Sequence, residues 1–155
     1  MIKLTKKTDN NDGCLYKINY NNDTAISLSI DNTISLFGLE TYKNNFYIKW
    51  IIDNNFQVID FIESLENNIK SELNTEILSN LIKKEKYPLM LNTKIIYTKN
   101  INIINSDKGG ISTIKEYIKK GNKYNMSLSI SDVFLNKKKK LIFYSIIIKK
   151  IEIAL

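Results

Sequence analysis

The chain has 155 residues, 43% of them hydrophobic and 25% charged, with a formal net charge of +7 and no histidine. That length is enough for one domain, spanning 1–155, with a core that needs neither disulfides nor metal. The missing histidine excludes Ser-His and Cys-His nucleophile pairs, and a lone Cys14 excludes both a zinc site and an intrachain disulfide.

Catalysis would have to rest on carboxylates, lysines or tyrosines, which argues against an enzyme. One cysteine fits a reducing, intracellular setting, and a cytoplasmic protein is expected. The most apolar run, 141–148, is strand-sized and flanked by lysines, and MIKLTKKTDN has no apolar signal core. No membrane partner is expected. All 23 basic residues are lysine, a balance that suits a polyanionic partner. An AT-rich coding sequence would also raise Lys, Asn, Ile and Tyr together, and only Ala25 and Ala154 are alanines. Such a bias does not account for four lysines in one loop.

Short β-branched or aromatic segments at 15–20, 25–30 and 33–37 predict strands, with asparagine-rich turns between them. In AISLSI, Ile26, Leu28 and Ile30 alternate with serines, as in a half-buried strand. FYIKWII continues the pattern, with Phe46, Ile48, Trp50 and Ile52 on one face and Tyr47, Lys49 and Ile51 on the other. The period then changes. Phe56, Ile59, Ile62, Leu65, Ile69 and Leu73 mark one face of an amphipathic helix, and a restart at Asn74-Thr75 predicts a second short helix to about Lys84. Pro88 ends this helical insert, 56–84. Strands are predicted at 89–98 and 101–106, a turn at DKGG and a short helix over 111–120 closed by Gly121. Two long strands, 124–135 and 141–153, make the clearest hairpin, with Asn136 to Lys140 as its loop.

The fold class is therefore mainly β (α+β), and an OB-like antiparallel barrel with a helical insert between its third and fourth strands fits the order. Lys137, Lys138, Lys139 and Lys140 would sit at the mouth of its cleft and neutralise phosphates. A solvated hairpin tip guarding a sheet edge is the plainer account of the same loop. Tyr97, Tyr117, Tyr124, Phe134, Phe143 and Tyr144 lie in the basic C-terminal half, and rings of this kind stack on bases. Phe143 and Tyr144 are adjacent, so at most one is core; Trp50 belongs to the packed face and Tyr47, beside Lys49, to the surface. Lys115, Lys119, Lys120 and Lys123 crowd around Tyr117 and Tyr124 as a second basic lobe or a solvated helix end. Asp60, Glu63 and Glu66 read as the solvent face of the helix, and no acidic cluster supports a metal nuclease.

The order Tyr87-Pro88, an extended strand, a short basic helix ending at Gly121, the strand 124–135, a basic loop and the strand 141–153 resembles a known group. It is similar to the OB-fold single-stranded-DNA-binding proteins of phages, large cytoplasmic DNA viruses and virus-like linear plasmids. About 70 residues carry the resemblance, as a pattern of residue types. It implies a non-enzymatic protein that coats single-stranded DNA, or RNA, during replication, without sequence preference or cofactor, with replication proteins as further partners and self-association into oligomers. Viral relatives place a tryptophan late in each of the last two strands, where this chain has Phe134 and Tyr144. They commonly end in an acidic tail, whereas this sequence ends IEIAL. The expected contacts are Lys137 to Lys140, Lys123 and Lys49 on phosphates, with Tyr47, Tyr97, Tyr124, Phe134 and Tyr144 stacking. The alternative is a structural or assembly subunit of a virus-like particle or polymerase complex, pairing its strand edges with a protein partner.

Overall fold

A computed structural model describes residues 2–21, 26–96, 102–103, 115, 118 and 121–154. In chain order the elements among them are β1 (Ile2–Asp9), β2 (Gly13–Tyr20), β3 (Ser27–Thr33), β4 (Ser35–Tyr42), β5 (Asn45–Ile51), α1 (Phe56–Leu73), β6 (Leu81–Ile82), β7 (Met90–Ile95), β8 (Asn102–Ile103), β9 (Tyr124–Ile130), β10 (Val133–Asn136), β11 (Leu141–Phe143) and β12 (Ile146–Ile153). Predicted Tyr97 and Tyr117, the turn 107–110 and most of the helix 111–120 lie outside the described residues.

The fold is mainly β. One sheet runs β1-β2-β10-β11; the other runs β3-β9-β12-β7-β5-β4, with β6 beside β7 and β8 beside β12. Most ladders are antiparallel, and β12 runs parallel to β7 and β8. No ladder joins the two ends of the larger sheet, β3 and β4, so the pairings do not by themselves make the predicted closed barrel. Those two end strands are separated in the chain by Ile34 alone.

The alternating patterns behave as predicted where they are longest. Tyr124, Met126, Leu128 and Ile130 of β9 face the core, as do Ile146, Ile148 and Ile151 of β12. The helix buries Val58, Ile62, Leu65 and Ile69, and Asn55 caps it by accepting from the Val58 amide. Phe56, placed on the apolar face by spacing, is 70% exposed, because the buried face begins at Val58. The predicted second helix does not form. Asn74 adopts the left-handed conformation and its amide donates to the Lys70 carbonyl, closing α1 at Leu73. The following residues run extended: Ile142 donates to the Glu76 carbonyl, Leu78 to the Ile142 carbonyl, and Leu81 pairs with β7.

The long predicted hairpin is also broken. Its base, β9 and β12, belongs to the larger sheet, and its tip, β10 and β11, to the smaller one. The break is a serine exchange: the Ser131 amide donates to the Ser145 carbonyl at 2.9 Å, and the Ser145 amide to Ser131 Oγ at 2.7 Å. These bonds satisfy backbone groups that would otherwise be orphaned where the chain changes sheets. The N-terminal hairpin, in which the predicted strand at 15–20 pairs with β1, a strand its lysine- and threonine-rich sequence did not suggest, receives the tip. Val133 to Asn136 pair with Tyr16 to Gly13.

Candidate nucleic-acid interface

In β5 the inward residues fix the outward ones. Trp50 is wholly buried; its Nε1 donates to Thr93 Oγ1 at 3.0 Å, and that hydroxyl donates to the Ile48 carbonyl at 2.7 Å. Tyr124, also wholly buried, meets Trp50 edge-on at 5.7 Å. The surface assignments of Tyr47 and of Trp50 as core agree with this. The stacking role expected of Tyr124 does not, because the alternation that turns Asn125 outward drives Tyr124 into the core.

On the outer side Tyr47 lies between Glu40 on β4 and Lys94 on β7, and Lys49 lies opposite Asn92. These side chains floor a cleft of about 600 Å³. Tyr42, 64% exposed, and Leu78 stand at its sides, and Phe143 to Ile146 close another wall. Lys49 Nζ sits 2.7 Å from Glu40 Oε1 and 5.9 Å from the centre of the Phe37 ring. Lys94 and Tyr42 were not singled out from sequence. In MLNTKI the buried Leu91, Thr93 and Ile95 point Asn92 and Lys94 outward, so strand alternation held that signal.

A buried polar cluster sets the wall. Glu66, on the face of α1 expected to meet solvent, is buried, and its Oε2 accepts from the Asn80 amide at 3.0 Å and from the Tyr144 hydroxyl. Asn80 Nδ2 donates to the Tyr144 carbonyl at 3.1 Å. Burial, and then the Glu66 charge, push the Tyr144 phenol far above its ordinary range, so it stays a neutral donor. Tyr144 is therefore not the stacking ring expected of it. Phe143 faces the other way and lines the cleft, in keeping with at most one of the pair being core.

The lysine loop divides. Lys137 Nζ is 2.5 Å from Asp9 Oδ1 and 2.9 Å from the Asn10 carbonyl. The hydrogen bond from Lys137, followed by those from Cys14 and Lys6, holds the Asp9 carboxyl down at about 2. Lys138, Lys139 and Lys140 are exposed, and the loop is shaped by the Lys139 amide donating to Asn136 Oδ1 at 2.9 Å. Lys139 Nζ lies 5.6 Å from the centre of the Phe143 ring, which joins the loop to the cleft. Phe134 pairs with Phe143 across β10 and β11. Lys123 is not brought to this group; it lines a separate concavity with Asp31, Asn32 and Phe56.

Among the described residues no group of three or more metal-ligating side chains occurs, and no helix is long and apolar enough to cross a membrane. Comparison of the chain with protein-family models, curated proteins and solved structures gives no match. The cleft is read from its own chemistry.

Proposed function

We propose that this chain is a non-enzymatic single-stranded nucleic-acid-binding protein of OB type, which coats exposed DNA during replication. The observation that carries the reading is the cleft on β5 and β7. It offers Tyr47, Phe143 and Tyr42 as rings, and Lys94 and Lys139 as cations, on one face. Rings stack on bases of any sequence, and lysines act as point charges on phosphates, so the combination favours affinity without sequence preference.

The strand order supports the barrel. If 27–42 is one strand bent at Ile34, the larger sheet becomes first strand, β5, β7, β12, β9 and first strand again. That is the order of a five-stranded OB barrel, including its parallel third and fifth strands. In such barrels oligonucleotides lie on the second and third strands, between the first hairpin turn and the connection from fourth to fifth. Here those parts are β5, β7, the turn at Lys43-Asn44, and 131–145 with its lysine loop. One departure is that α1 enters between the second and third strands, not the third and fourth.

The test is a titration with labelled oligo-dT, oligo-U and a duplex of equal length at several salt concentrations. Salt-sensitive binding to single strands well above duplex is expected, and the DNA-to-RNA ratio fixes the natural ligand. Equal binding to single and double strands reduces the site to a generic basic surface. No binding at low salt overturns the reading and favours an assembly subunit that binds protein.

A further inference from the structure

The N-terminal sheet has one face on the core, and its opposite face is, apart from Gly13, half-buried or exposed along β1, β2, β10 and β11. Ile2, Leu4, Tyr16, Tyr20 and Leu135 pack inward. The opposite face carries Leu15, Phe134 and Phe143, directly paired across β2, β10 and β11, and all three are half-buried without joining the core cluster. Gly13 makes this possible: a Cβ there would lie 2.7 Å from Phe134 Cζ, so the ring rests against bare backbone. Two residues along β2, Lys17 shares the face with Leu15; across on β1, Thr8 lies opposite Leu15, Thr5 opposite Lys17, and Lys3 opposite Asn19 further along the same face. No acidic residue occupies a register position on this face of the four strands. One end of the aromatic row is Phe143, which also lines the cleft and lies under Lys139.

We propose that a single strand held in the β5–β7 cleft continues over Phe143 and Phe134 towards Lys17 and Lys3, making the N-terminal hairpin the second half of the binding surface. The inference rests on the reading of the cleft above. A polyanion with flat hydrophobic bases suits the face because its rings lie in a row, its register positions carry no acid, and Asp132, just before β10, is already paired with Lys7 at 2.7 Å. The β1–β2 hairpin would then lengthen the occluded site beyond what the barrel alone covers.

The experiment compares an oligo-dT of about 6 nucleotides with one of about 20, bracketing the site sizes of single OB barrels. Wild type should bind the longer one more tightly per molecule than extra binding registers explain. Phe134→Ala should weaken the longer oligonucleotide by about 5- to 140-fold, the range for one lost stacking contact, and leave the shorter one unchanged. Because Phe134 also covers Gly13, the pair Lys3→Glu with Lys17→Glu, at an exposed and a half-buried position away from Gly13, should give the same length-selective loss. Tyr47→Ala should weaken both lengths. If Tyr47→Ala acts on both while the hairpin variants act on neither, the cleft stands and its extension falls. If no length binds wild type, both fall. A change in sedimentation of the hairpin variants with unchanged oligonucleotide binding would assign the face to protein association and overturn the extension.

Discussion

The lysine loop supplies the sharpest quantitative test, because its four side chains are not equivalent. Lys137 is held by Asp9 and the Asn10 carbonyl, whereas no ion pair holds Lys138, Lys139 or Lys140 among the described residues. Each phosphate neutralised on a single strand contributes about 0.7 to the slope of log affinity against log salt. Replacing Lys138, Lys139 and Lys140 together by alanine should therefore flatten that slope by about 2. Between about 50 and 200 mM salt, wild type should lose about 15-fold more affinity than the triple variant. Lys137→Ala alone should change the slope by well under 0.7, since its charge already faces a carboxylate. The loop should keep its shape in all variants, because the Asn136 cap accepts from a backbone amide. Fluorescence anisotropy with labelled oligo-dT over a salt series reads the slopes directly. A triple variant whose slope falls by less than about 0.5 would refute the loop as the contact. A Lys137→Ala effect as large as the per-residue effect of the others would refute the distinction drawn between them.

Three further outcomes follow from buried or paired groups. Thr93→Val removes the acceptor of the wholly buried Trp50 N–H and should destabilise the fold by about 1–3 kcal/mol in urea denaturation; a loss under about 0.5 kcal/mol would mean the indole finds another partner. Tyr144→Phe leaves the buried Glu66 carboxylate with the Asn80 amide, and should cost about 1–3 kcal/mol in the same assay. It should not act as loss of a stacking ring, so oligonucleotide affinity measured well below the melting temperature should fall by less than in Tyr47→Ala. Asp9, at about 2 when folded against an ordinary 3.8, stabilises the fold above pH 3.8, and that contribution is lost as pH falls towards 2. Asp9→Asn should therefore melt below wild type at about pH 5 and converge with it near pH 2, by a small margin because the pair is exposed. A gap that stays constant with pH would contradict this.

The parts of the fold that sequence conveyed are those where one rule acts alone. Alternation placed Trp50 and Ile48 inside and Tyr47 outside, and helical spacing found α1. Where two rules competed, the local pattern lost to tertiary pairing. The segment after Asn74 has helical spacing, but its amides and carbonyls find partners on Ile142, and its Leu81 finds β7. The hairpin 124–153 reads as continuous, yet the serine exchange diverts its tip to pair with β2, a long-range choice invisible in either strand. Tyr124 and Tyr144 looked like surface aromatics because their neighbours are basic, whereas alternation within β9 puts Tyr124 inside, and Tyr144, between β11 and β12, is drawn in by Glu66 and Asn80. For the site, Lys94 was legible from the same alternation. Glu66 was not, since a carboxylate at three-residue spacing on a helix looks solvent-facing until Tyr144 and Asn80 arrive from distant strands.

The abundance of lysine can now be separated into two populations. Lys6, Lys7, Lys49, Lys70, Lys83 and Lys137 each face a carboxylate, and the pairs are mostly exposed, so they add little to stability and do not need a ligand to explain them. A coding bias towards lysine would produce such residues wherever surface tolerates them. It would not line up, along one path with rings, lysines that face no carboxylate among the described residues. Lys94 beside Tyr47, Lys139 over Phe143, and Lys17 and Lys3 beyond Phe134 follow one another from the larger sheet to the smaller, with aromatic rings between them. The kink at Ser131 and Ser145 makes that succession continuous, because it turns the hairpin tip away from β9 and β12 and onto β2. A straight hairpin would keep the loop in register with the strands of the larger sheet and leave the N-terminal hairpin without a partner for its inner edge. The unpaired charge and the rings thus depend on one local exchange of hydrogen bonds, which composition alone does not explain.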